Sequence, residues 1–127
     1  MTAREIGAYG ERVAVHYLRL HGYTVRDRNW RAGHHEIDIV ATRFGVIAFV
    51  EVKTRSYRAD EVDSLPPPRA AVNADKQRFT RQAARQYLHE HPSKRKPRMD
   101  VLEIRLDAES GKKRPNILGI HHLEGAY

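Results

Sequence analysis

Apolar positions divide this chain into stretches of helical and strand period. Ile6, Gly10, Val13, Tyr17 and Leu20 recur three and four apart, which predicts a helix over residues 3–21. Thr2 and Glu5 have the spacing of a capping box at its start, and Gly22 suits its end. Tyr23 to Asn29 reads as a short strand and Arg31 to His34 as a turn. Residues 36–42 and 46–54 form the strongest strand pair, a hairpin around Phe44-Gly45. The second of these strands is apolar on nearly both faces, the pattern of a strand in the middle of a sheet.

The pattern then changes. Residues 55–68 combine charged side chains with Pro66, Pro67 and Pro68, and read as a mobile polar loop. A second helix is predicted over 73–90, with Asn73 as its cap and Phe79, Ala83, Tyr87 and Leu88 as its apolar face; His91-Pro92 ends it. Lys94 to Arg98 is a basic connector. Residues 99–106 and 117–123 read as strands, separated by a turn-rich link. Helix, strands, helix, strands describes a small domain with a mixed sheet, and a length of 127 residues fits one such domain, residues 1–127.

Composition narrows the choices. The chain has no cysteine, so disulfides and thiolate metal sites are excluded. No apolar run approaches the roughly 20 residues that span a bilayer, and the first residues lack a signal-peptide core; a soluble cytoplasmic protein is expected. Lys and Arg number 23 against 16 Asp and Glu, for a net charge of +7. That excess favours a polyanionic partner such as DNA, and its spread over several segments suits a broad phosphate-facing surface.

The most informative residues are charges placed among apolar neighbours: Glu36-Ile37-Asp38 and Glu51-Val52-Lys53. Buried charge is costly unless paired or bound to metal. With Phe44 and Gly45 as the two loop residues, Asp38 falls opposite Glu51 and Glu36 opposite Lys53, with all four on one patch. Opposed carboxylates repel, and a hard divalent cation would relieve them. Such an ion, Mg2+ or Mn2+, polarises a phosphodiester, while Lys53 can steady charge on the reacting phosphate. The competing reading is a salt-bridged patch, with Glu36 paired to Lys53 and Asp38 to an arginine.

Asp38 followed by Glu51-x-Lys53 resembles the PD-(D/E)XK signature of restriction-endonuclease-like nucleases. Gly10-Glu11-Arg12-Val13-Ala14, Arg28-Asn29-Trp30-Arg31, Glu36-Ile37-Asp38-Ile39-Val40, Phe49-Val50-Glu51-Val52-Lys53-Thr54-Arg55, Lys76 and Asp100-Val101 follow in order. Together they resemble the bacterial YraN-like family, itself similar to archaeal Holliday-junction resolvases. The resemblance implies an α/β fold with a restriction-endonuclease-like core, a mixed β-sheet flanked by α-helices. It implies Asp38, Glu51 and the Val52 carbonyl as metal ligands, Glu11 as a further acid of the metal site, and Lys53 as the catalytic lysine. Lys76 joins the catalytic candidates because it shares the inward side of the second helix. By the same resemblance the substrate is branched or otherwise structured DNA and the active form a twofold dimer.

One position departs from that pattern: His35 stands where the family usually has glycine. His34 and His35, adjacent on a strand, point to opposite faces and cannot share a metal. Trp30 and Tyr57 can stack on bases, although a lone tryptophan more often packs in a core. The reading is therefore a metal-dependent DNA endonuclease. Its alternatives are a non-cleaving nucleic-acid-binding protein that keeps the nuclease fold, and an assembly protein.

Overall fold

The computed structural model describes residues 1–58, 72–108, 111 and 113–127. Helix α1 (Ala3–Leu20) opens the chain, and the Thr2–Glu5 capping box forms, with each side chain bonded to the other's backbone. Strands β1 (Thr24–Ala32), β2 (His35–Arg43) and β3 (Val46–Tyr57) follow as an antiparallel meander. Helix α2 (Ala74–Glu90) then crosses over to β4 (Lys96–Asp107), which pairs parallel to β3, and β5 (Ile117–Leu123) closes the sheet antiparallel to β4. The strand order is β1-β2-β3-β4-β5, so β3 is central, as its apolar sequence requires.

The helices cover opposite faces of this mixed sheet. Ala14, Val15 and Leu18 of α1 pack on Ile39, Ala41, Ala48, Val50, Leu102, Ile104 and Leu106. Ala83, Ala84 and Tyr87 of α2 pack on Ile37, Val40, Ile47, Phe49 and Met99. Alternation along β3 sends Ala48 and Val50 one way and Ile47 and Phe49 the other, which gives the molecule two cores. Gly10 sets the approach of α1: a Cβ there would lie 1.8 Å from the Thr54 hydroxyl oxygen.

Several expectations shift. Residues 55–57 continue β3 because β4 supplies partners as far as Asp107, so they are not loop; the rest of the predicted mobile segment lies outside the described residues from 59 on. Lys96–Arg98 belong to β4 and not to a connector, paired with Val46–Ala48. Leu20 is 71% exposed, because the buried stripe of α1 runs through Gly10, Ala14, Val15 and Leu18. Phe79 lies outside the core and stacks on His35 with ring centroids 4.7 Å apart. The small side chains Thr80, Ala83 and Ala84 let α2 sit down on the sheet instead. Trp30 packs edge-on against Tyr87 at 5.2 Å, in the core role.

A second polar centre forms at Asp100 in the first half of β4. Asp100 has no exposed surface; its carboxylate accepts two bonds of 2.8 Å from Arg98 and one of 3.0 Å from the Gly125 amide. His122 Nε2 lies 2.8 Å from it, which requires that nitrogen to carry the proton. Burial alone would raise the Asp100 pKa, but His122, Arg98 and Gly125 together hold the carboxyl below its ordinary range.

Candidate active site

The predicted hairpin register holds from Arg43–Val46 through Ile39–Val50, where the antiparallel ladder ends. Just beyond, β2 rotates: Ile39 belongs to the core under α1, whereas Ile37 belongs to the core under α2. Residues two apart share a face in a regular strand, so the chain turns at Asp38. The Asp38 carboxylate thereby takes the place of a backbone acceptor: its Oδ2 receives the Val52 amide at 2.8 Å. The Val52 carbonyl lies on the same edge of β3 as that amide and faces the same gap.

Glu51 is buried at 5% exposure behind this gap. Its Oε1 is 3.3 Å from the Lys53 ammonium and 3.8 Å from that of Lys76, carried in by the first turn of α2. Its Oε2 is buried and has no hydrogen-bond partner among the described residues. Asp38 is pushed up to about 7, first by burial, then by the Glu51 charge and further by Glu36. The Val52 amide and Lys76 pull the other way and only partly offset this. Two carboxylates are therefore held close enough to disturb each other, and one keeps an orphaned oxygen.

The remaining candidates sit around a cavity of about 400 Å³ between α1 and the parted strands, lined by Gly7, Glu11, Asn29, Glu36, Asp38 and Lys53 among others. Glu36 pairs with Arg31 at 3.7 Å, and not with Lys53 as the hairpin geometry suggested; Lys53 turns to Glu51 because that acid is buried and Glu36 is not. Glu11 reaches the cavity because Gly10 seats α1 against Thr54. Its Oε1 accepts from Asn29 Nδ2 at 2.9 Å and Arg28 Nε at 3.3 Å, and it lines the same cavity as Asp38. Asn29 adopts φ 51°, a left-handed conformation that asparagine tolerates better than most residues. In the sequence Arg28 and Arg31 stand out only as part of the spread basic surface, and Asn29 only within the Arg-Asn-Trp-Arg run of the resemblance.

The donor set can be tested against a divalent cation. Among the described residues, no three His, Asp or Glu side chains are grouped to hold a metal. Two carboxylates and one carbonyl nevertheless fit a hard ion that completes its shell with water and phosphate oxygens. The orphaned Glu51 oxygen and the strained ionisation of Asp38 are what such an ion would relieve.

Comparison with known proteins gives the lineage. The model of the uncharacterised protein family UPF0102 matches residues 10–104. A UPF0102 protein of Alkaliphilus oremlandii is 39% identical over 98% of both chains. One from Porphyromonas gingivalis is 35% identical over 95% of this chain and 82% of its own length. Another from Clostridium perfringens is 35% identical over 91% of each. The resemblance to YraN-like proteins pointed to this same group. The chain belongs to the uncharacterised protein family UPF0102.

Proposed function

We propose that this protein is a metal-dependent endonuclease that hydrolyses phosphodiester bonds in DNA, with a restriction-endonuclease-like core. The observation that carries this reading is the Asp38–Glu51 pair at the parted end of β2 and β3, with a buried Glu51 oxygen that finds no partner among the described residues. The parallel β3–α2–β4 unit, with a helix on each face of the sheet, supports the same core.

Mg2+ or Mn2+ held by Asp38, Glu51 and the Val52 carbonyl would supply, when bound, a Lewis acid for a phosphate oxygen and a lowered pKa for water. The chain's own residues do the rest. The Val52 amide fixes the Asp38 rotamer. Glu51 holds Lys53 at the rim of the cavity, where its ammonium stabilises negative charge gathering on the phosphoryl oxygens. Lys76 adds a second positive charge from α2. Glu11 positions β1 through Asn29 and Arg28 and so shapes the cavity wall.

A second reading rests on the two ammonium groups at Glu51 Oε1. An acid compensated in this way needs no cation, and the protein would then bind nucleic acid without cutting it. End-labelled duplex, flap and four-way-junction DNA incubated with Mg2+ or Mn2+ separates the two. The nuclease reading expects cleavage that Asp38→Ala abolishes while binding persists. Salt-sensitive binding with no cleavage in either metal establishes the second reading.

A further inference from the structure

At the opposite end of β3 from the acidic pair, the hairpin turn carries Phe44 at 89% exposure. Its φ is 51°, a region that favours glycine or asparagine and is unfavourable for a bulky side chain. A residue that is both strained and exposed contributes little to the fold, and such outliers concentrate where a surface has work to do. The surroundings indicate what that work is.

The Arg43 guanidinium lies 4.5 Å from the Tyr23 ring centroid and 5.8 Å from that of Phe44, between a buried and an exposed aromatic. Arg43 is anchored by a 3.0 Å bond to the His21 carbonyl and by Glu124 at 3.7 Å. The parallel pairing of β4 with β3 brings a run of cations to the same turn: the Lys96 amide bonds the Gly45 carbonyl at 2.7 Å, and Arg95 Nε bonds the Phe44 carbonyl at 3.1 Å. Lys94, Arg95 and Lys96 are all exposed. Arg95 also walls a cavity of about 230 Å³ that contains Arg26, His91 and Ser93, a set of donors suited to a phosphate.

We infer that the Phe44 turn is a stacking platform for an unpaired base of a single-stranded nucleic-acid segment, with Arg95, Lys94 and Lys96 holding its phosphates. Aromatic faces flanked by cations bind single strands in this way, without sequence preference. One aromatic residue at the tip, beside a cavity lined by Arg26, His91 and Arg95, favours a nucleic acid over a lipid surface. From Val46 to Val52, at about 3.3 Å per residue, the platform stands roughly 20 Å from the acidic pair. The proposal shares with the nuclease reading only the identity of the polyanion, and it stands whether or not the protein cleaves.

The test is fluorescence anisotropy of a labelled oligo-dT strand in EDTA, where no cleavage competes. Phe44→Ala and Phe44→Asn should each weaken binding at least about five-fold, the loss of one stacked base. Asparagine accepts the left-handed backbone, so Phe44→Asn should also melt at or above the wild-type temperature, which separates lost contact from lost fold. Phe44→Trp should restore binding, with indole emission quenched by the strand. Unchanged affinity in both Phe44→Ala and Phe44→Asn overturns the proposal, as does bound but unquenched Phe44→Trp. Phe44-dependent binding to phosphatidylserine vesicles in place of oligo-dT would overturn it in favour of a membrane contact. Loss of cleavage in Asp38→Ala with normal oligo-dT binding speaks to the nuclease reading alone.

Discussion

Replacing Asp38 by asparagine should stabilise the metal-free protein, and do so increasingly as pH rises. The folded carboxyl is pushed up to about 7, whereas an unfolded aspartate titrates near ~3.9. A carboxyl whose folded pKa is raised costs nothing below the unfolded value. The cost grows as pH climbs through the interval and levels off above the folded value. At about 1.4 kcal/mol per tenfold change in proton affinity, the ceiling is about 4 kcal/mol. Asp38 is half-buried and opens onto the cavity, so screening by water trims this to about 2–3 kcal/mol. Asparagine keeps an oxygen for the Val52 amide and carries no charge against Glu51. For a chain of this size the gain is roughly 10 °C in Tm at pH 8.5, falling to less than half of that at pH 5. Circular-dichroism melts of both proteins in EDTA at the two pH values measure it. A Tm difference that does not change with pH, or a variant less stable than wild type at pH 8.5, refutes the account of the paired acids.

Two further outcomes follow from the packing. Asp100→Asn should lower stability by about 3 kcal/mol in urea titrations at pH 7, because Arg98 loses the nearer and fully buried one of its two anionic partners, keeping only Glu124; a loss below about 1 kcal/mol would show the centre to be dispensable. The same carboxyl sits below its ordinary range, so its contribution is present above pH ~3.9 and disappears as pH falls through the folded value. Phe49→Ala should cost about 3–5 kcal/mol by the same titration, since Phe49 is fully buried, edge-on to Tyr87 at 5.7 Å; a near-neutral result would mean that the core under α2 can collapse onto the gap.

Much of this architecture is legible in the order of residues. The two caps, both helices, β5 and the hairpin register follow from local rules, because a two-residue turn fixes which side chains face each other. That register is also why Asp38 and Glu51 could be expected side by side. Long-range events hide the rest. β3 and β4 each run several residues further than their own alternation suggests, because a parallel partner arrives from beyond α2. The turn of β2 at Asp38 has no signal in the pattern, since Ile37 and Ile39 are equally apolar and only the two helices distinguish their faces. The pairing of Lys53 with Glu51 instead of Glu36 depends on burial. The Asp100 centre needs residues from β4, β5 and the final turn, and no spacing along the chain announces it.

The contact at Gly10 has a consequence for how this scaffold can vary. With room for only a hydrogen atom between helix and strand, even a methyl group there would force the two apart and carry Glu11 off its asparagine. The opening's breadth is thus locked by backbone touching side chain, as a shim sets a gap. Diversity in what the opening admits must then come from the groups projecting into it, never from sliding α1 along the sheet.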